Sequence, residues 1–280
     1  MLGKQSKWSK DFPYILKHQR ATLHLQAEPS SHTRQALVQL IERPLVAKRV
    51  SAPLDCSRSA LFIKREQLDS LKKKWRIQRG NRKRNGMYDW TVEELTNTFE
   101  AHKRGARVPG VAGYGYTRSN LGLVDGVFFI SRLLVGHVDG LTLIRRDPQA
   151  TLRVIGAAFE LLHSLHHQGV THMDLWAANV MLPEQGQGLA QAIDLENGFN
   201  TPTAYFSETL GFQLGFFYYR EIYRYITEAD YDALVEATLV NYPGLDRAVF
   251  NRVYEISKHQ HIDRLERRDI FCKGIVKSRW

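Results

Sequence analysis

The apolar positions of this 280-residue chain fall into two regimes. Up to about residue 134 they come as short β-prone runs: "ATLHLQA" (21–27), "PLVAKRV" (44–50), "SALFIKR" (59–65), "AGYGYTR" (112–118) and "GVFFISRLL" (126–134). Their length and their Val, Ile, Phe and Tyr content predict strands, and the Pro/Asp/Ser-rich stretch between 44–50 and 59–65 predicts the turn of a hairpin. One helix interrupts the series over 91–104. Thr91 with Glu94 three residues on has the spacing of a capping box, and Gly105 and Pro109 stop the helix.

After Gly136 the period lengthens. Leu152, Ile155, Phe159, Leu162 and Leu165 recur at steps of 3 and 4, which predicts an amphipathic helix closed by Gly169. Short strands follow at "NVML" (179–182) and "AQAID" (190–194), then helical patterns over about 207–226, 229–241 and 245–258. A β-rich first half with one main helix and a helical second half make an α+β layout of two lobes, residues 1–133 and 134–280, with a hinge near 131–137.

Composition adds bounds. Two cysteines, Cys56 and Cys272, build no disulfide framework, which points to a reducing compartment. No apolar stretch reaches 18 residues and the start "MLGKQSKWSKDF" lacks a signal-peptide core, so a cytoplasmic protein is expected. The 39 basic and 29 acidic residues give a net charge of +10, which favours polyanionic partners without choosing among them.

The chemistry-bearing stretch is "THMDLWAANVML" (171–182), with "AIDLENGF" (192–199) after it. An aspartate ahead of a strand, an asparagine five residues later and a second aspartate closing the next strand suit phosphoryl transfer. That reaction needs a carboxylate to orient an acceptor hydroxyl and oxygen ligands for Mg²⁺ on the nucleotide phosphates. Asp174 fits the first role, and Asn179 and Asp194 the second. The bland alternative is a turn aspartate, a strand-capping asparagine and a loop aspartate.

"HMDLWAANVML…AIDLE" resembles the catalytic and metal-binding loops of the protein-kinase-like superfamily, and within it the lipopolysaccharide core kinases that act on Kdo and heptose. The likeness spans roughly 44–225. It implies a two-lobed kinase-like fold, ATP and Mg²⁺ as cofactors, and a sugar hydroxyl of the lipopolysaccharide inner core as acceptor, met at the cytoplasmic face of the inner membrane. It makes Lys64, in "ALFIKR", the lysine that grips the nucleotide phosphates, and Glu94 its acidic partner, with Glu100 as runner-up. The adenine is expected against the backbone of Ile130–Leu133, and His172 braces the catalytic loop.

The departures from that pattern are informative. No G-x-G-x-x-G precedes Lys64, where "SAPLDCSRSA" stands instead, and Leu195-Glu196 follow the metal aspartate. Met173 stands at the arginine that reads activation-loop phosphorylation, Trp176 at a phosphate-contacting lysine, and no A-P-E segment is present. These argue against a protein acceptor. Another small-molecule or protein kinase of the same fold, or a nucleotide-binding pseudokinase scaffold, remains as an alternative.

The run "KKKWRIQRGNRKR" (72–84) holds eight basic residues and no acidic one. It reads as a solvated loop, or as an electrostatic patch for a phosphorylated acceptor or an anionic membrane surface. Nucleic acid is the weaker partner, because no nucleic-acid-binding fold accompanies the run. His163, His166 and His167 read as helix-face residues rather than a metal site. The aromatic stretch "FQLGFFYYREIYRYI" (212–226) reads as core with snorkelling tyrosines rather than a membrane anchor.

Overall fold

The computed structural model describes residues 10–44, 47–54, 60–83, 86–185 and 188–277. It divides into two compact units, Met1–His102 with Pro109–Val135, and Lys103–Val108 with Gly136–Trp280. In the first unit, strands β1 (Tyr14–His18), β2 (Ala21–Leu25), β3 (Arg49–Pro53), β4 (Leu61–Gln67), β5 (Val111–Arg118) and β6 (Val124–Arg132) form one antiparallel sheet, ordered β1-β2-β5-β6-β4-β3. Helices α1 (Ser31–Glu42), α2 (Leu71–Arg79) and α3 (Trp90–Lys103) accompany it.

Strand alternation decides which side chain meets which helix. Leu61 and Ile63 of β4 and Phe128 and Ile130 of β6 enter a core with Leu37 and Ile41 of α1. Val127 and Phe129 enter a second core with Ile77 of α2 and with Val92 and Leu95 of α3. Lys64, one residue on from Ile63, therefore faces α3.

Three features differ from the pattern-based expectation. Helices α1 and α2 join α3, because Ser30 and Ser70 cap them: each hydroxyl accepts from the amide three residues on. Helix α3 begins at Trp90, so Thr91 is no cap; its hydroxyl donates to Glu66 Oε2 at 2.8 Å, and the amides of Val92 and Glu93 donate to the Asp89 carbonyl. The described part of the basic run is helix α2 and its C-terminal turn rather than a loop. Lys73 pairs with buried Glu66, and Arg76 forms a two-pronged pair with buried Asp89 at 2.8 and 3.1 Å. Residues 55–59 of the stretch that replaces the glycine-rich loop, Cys56 among them, lie outside the described residues, as do 45–46 of the first predicted hairpin strand and Arg84 of the basic run.

The second unit contains β7 (His137–Asp139), α4 (Gly140–Arg146), α5 (Thr151–His167), β8 (Thr171–His172), β9 (Val180–Pro183), β10 (Gln191–Ala192), β11 (Gly198–Phe199), α6 (Phe206–Tyr219), α7 (Glu228–Leu239), α8 (Arg247–His259) and α9 (Arg264–Lys273). The buried stripe of α5 is Val154, Ile155, Ala158, Phe159, Leu161, Leu162 and Leu165. Leu152, expected on that stripe, is 62% exposed one turn too early. Helices α6 and α8 approach closely because Gly211 and Gly215 face α8: a Cβ at either would stand 2.6 Å from the Phe250 or Tyr254 carbonyl oxygen. Phe212 and Phe216 then join Met173, Phe199, Val253, Ile270 and Phe271 in one core. The aromatic stretch is thus interior over Phe212–Tyr218 while Tyr223 near its end is exposed, and no helix among the described residues is long and apolar enough to cross a membrane.

Candidate active site

In the second unit two short ribbons bring the chemistry-bearing residues together. Strands β9 and β10 pair antiparallel with Val180 opposite Ala192, and the ladder extends one step further where the Ile193 amide donates to the Asn179 carbonyl at 3.0 Å. Asn179 and Asp194 therefore stand at the same end of one ribbon. Strands β8 and β11 pair with His172 opposite Gly198, and the Met173 amide donates to the Asn197 carbonyl at 2.9 Å. This second ribbon ties the segment leading into Asp174 to the segment leaving Asp194.

His172 is the clasp. It is wholly buried; its Nε2 donates to the Ile193 carbonyl at 2.9 Å, and its Nδ1 accepts from the Asp174 amide at 3.2 Å. Those two bonds require the neutral imidazole with hydrogen on Nε2. Desolvation pushes the ring's pKa below the ordinary histidine value, in keeping with that tautomer. Gln213 extends the network: its amide nitrogen donates to the His172 carbonyl at 3.1 Å, and its oxygen accepts from His166 Nε2 at 3.0 Å. His166 is pushed down to about 4 by burial, so it too stays neutral. Among the triplet of α5 histidines it is the one tied into this network, through Gln213.

The Asn179 amide nitrogen donates to the Asp174 carbonyl at 2.8 Å, which directs the side-chain oxygen of the same amide as the acceptor end. Asp194 sits in the left-handed region, with φ 65° and ψ 52°. Aspartate tolerates that region better than most residues, yet it is sparsely populated, and such conformations gather at functional sites. A carboxylate and an amide oxygen at one ribbon end suit a small hard cation such as Mg²⁺, which takes one or two protein oxygens and keeps phosphate and water for the rest.

Asp174 has partners that sequence reasoning missed. Arg267 of α9 donates through Nη1 to Asp174 Oδ1 at 2.6 Å and through Nε to the Ile262 carbonyl at 3.0 Å, with its guanidinium carbon 4.2 Å from the Phe216 ring centre. Burial lowers the pKa of this guanidinium, while Asp174 opposes the shift. Arg264, one helical turn earlier, pairs with buried Glu196 and stands 3.7 Å from Asp174 Oδ2. The only sequence signal for either arginine is the i, i+3 spacing in "RLERR", which without the fold reads as a solvated helix face.

In the first unit Lys64 Nζ donates to Glu94 Oε1 at 2.5 Å, with both side chains largely buried. Strand β4 and helix α3 set this pair, and Glu100 lies farther along α3, more than one turn away. Ile130 is a core residue: it is wholly buried, and its main chain lies within the ladder between β4 and β5. The Leu133 amide donates to the Ala60 carbonyl at 2.8 Å.

A sheet unit with a strand lysine paired to a helix glutamate, and a helical unit with a His-x-Asp-x(4)-Asn hairpin ending in Asp194, make this an α+β chain. No protein-family model matches the chain, and no curated protein matches it. Among solved structures, the chain is similar to one described as "WaaP in complex with acyl carrier protein", at 15% identity and a TM-score of 0.39, covering 71% of this chain and 88% of that one. A likeness at that level leaves the functional reading to the residues themselves.

Proposed function

We propose that the chain is an ATP-dependent phosphotransferase with a sugar hydroxyl as acceptor, a Kdo or heptose of the lipopolysaccharide inner core. The supporting observation is the clasp in which neutral His172 joins the Asp174 amide to the carbonyl preceding Asp194. It fixes a base-competent carboxylate and two oxygen ligands as one rigid group. In this reading Arg267 holds Asp174 Oδ1, so Oδ2 is the oxygen that orients the acceptor hydroxyl and receives its proton. Asn179 and Asp194 would hold Mg²⁺, which when bound neutralises charge on the phosphate oxygens. Lys64, held by Glu94, grips the α- and β-phosphates.

The acceptor class rests on the sequence resemblance and on the absence of activation-loop features: Met173 is a core residue where a regulated protein kinase carries an arginine. The test is ATP-dependent phosphate transfer to purified core oligosaccharide, followed by mass spectrometry of the product. A mass gain of one phosphate that disappears in Asp194→Ala supports the reading. No gain from a protein that binds Mg-ATP would move belief to another acceptor, and absent nucleotide binding would sink the kinase reading itself.

A further inference from the structure

The second unit has an open cavity of about 600 Å³ that no step above uses. Its walls come from the end of α6 (Tyr218, Tyr219, Arg220, Glu221), from Tyr223 in the following turn, and from Glu228, Lys258 and His259 where α7 begins and α8 ends. Arg220 belongs to two places at once: it lines the cavity, and its guanidinium carbon lies 4.4 Å from the ring centre of Trp176, two residues beyond Asp174. One residue of the cavity wall thus stacks on the segment that carries Asp174.

Its chemistry narrows the occupant. Arg220 and Lys258, with Arg145 and Arg224 beside Glu221, are matched by Glu221, Glu228, Asp232 and Glu255, so a phosphate or other polyanion gains no net attraction. A divalent cation is excluded as well. Glu228, Glu255 and His259 lie within ligand distance of one another, but the Lys258 ammonium already stands 2.8 Å from Glu228 and 3.1 Å from Glu255. What remains is a mixed surface of aromatic faces and hydrogen-bonding groups. Tyr223 is 49% exposed and meets Tyr218 edge to face, with ring centres 6.4 Å apart. Glu221 is held at φ 81°, a left-handed conformation rare for glutamate, with Arg224 and Arg145 3.5 and 3.7 Å from its Oε2. Aromatic rings that cover the C–H face of a pyranose, beside carboxylates and a guanidinium that meet its hydroxyls, suit an uncharged saccharide.

We propose that this cavity is a carbohydrate subsite, holding a neutral sugar unit next to the one whose hydroxyl meets Asp174. The proposal rests on the phosphotransferase reading for the identity of the neighbouring sugar, but binding is measurable without turnover. Full-length protein is titrated with deacylated, dephosphorylated core oligosaccharide, with saturation-transfer NMR reporting the sugar protons in contact. Wild type is expected to bind, Tyr223→Ala to bind at least tenfold more weakly, and Tyr223→Phe to restore most of the loss, because the ring and not its hydroxyl covers the sugar. Tyr223 is half exposed, so its truncation spares the fold; Glu221→Gln, which keeps the shape of the side chain, is a second variant expected to weaken binding. No binding by wild type, or equal binding by wild type, Tyr223→Ala and Glu221→Gln, overturns the proposal. Mg-ATP affinity, measured in the same wild-type sample, reports separately on the phosphotransferase reading: oligosaccharide binding without nucleotide binding would sink that reading and leave the subsite standing.

Discussion

At the scale of single residues, Asp174 and Arg267 form the decisive contact, a pair buried in the second unit. If Asp174 is the base, Asp174→Ala lowers the transfer rate by about 10²–10⁴-fold, and Asp194→Ala removes Mg-ATP turnover while the circular dichroism spectrum stays native. Wild-type-like rates from either would end the assignment. Arg267→Met leaves a buried carboxylate without its cation and should destabilise the fold by about 3–5 kcal/mol, the usual cost of breaking one side of a buried pair. Arg267→Lys should recover part of that stability and part of the rate, and a merely packing role for Arg267 would give the reverse order, with Met the milder change. His166 supplies a pH test. Its folded pKa, about 4, lies below the ordinary histidine value of 6.5, so between those limits the unfolded chain binds a proton that the folded chain refuses. Stability is unaffected above the unfolded value and falls as pH drops through that window, by up to about 1.4 kcal/mol per pH unit for each such histidine. His172, shifted in the same direction, adds to the effect. Urea denaturation between pH 7 and 5 should show a shallower loss in His166→Gln than in wild type; identical slopes would mean that His166 is protonated in the fold.

At the scale of elements, the pair between β4 and α3 is the clearest case of sequence legibility. The family resemblance put Glu94 ahead of Glu100 as the partner of Lys64, and the structure places Glu94 against Lys64. Glu94→Gln should therefore reduce nucleotide affinity more than Glu100→Gln, and the double variant Lys64→Met/Glu94→Gln should be less harmful than the sum of the singles. A larger loss at Glu100 would reassign the pairing role. Strands β5, β6, β9 and β10 and helix α5 were legible because each buries a face of its own, and burial imprints a period on the sequence. Helix α9 was not: its arginines are fixed by Asp174 and Glu196, which lie far back in the chain, and nothing local marks such partners. Leu152 and Thr91 failed for a related reason. Period and capping signals name candidates, while tertiary contacts decide which residue faces inward and which hydroxyl caps.

At the scale of the whole molecule, the net charge of +10 takes on a location only once the basic run is seen as a helix. Lys73 and Arg76 face inward to Glu66 and Asp89, so they are structural cations and not part of a docking surface. Arg79 stacks on Trp75, itself 50% exposed, and Arg82 on Tyr88, with ring-centre distances of 3.5 and 4.7 Å. Lys83 stands 3.7 Å from Asp89 as well, so among the described residues of the run Lys72, Lys74, Arg79 and Arg82 are the charges left to meet a partner. Each basic residue near an anionic surface contributes on the order of 1 kcal/mol, so replacing these four by glutamine should weaken binding to vesicles containing anionic lipid by well over tenfold. The loss should shrink as salt is raised and the Debye length falls below about 10 Å. Lys73→Gln and Arg76→Gln make the contrasting pair: they should lower the melting temperature and leave the salt dependence of vesicle binding as it was. Should the fourfold variant bind anionic vesicles as wild type does, α2 is a structural helix with a solvated outer face. Should it lose salt-sensitive binding to RNA or DNA instead, the charge serves a nucleic acid and not a membrane surface.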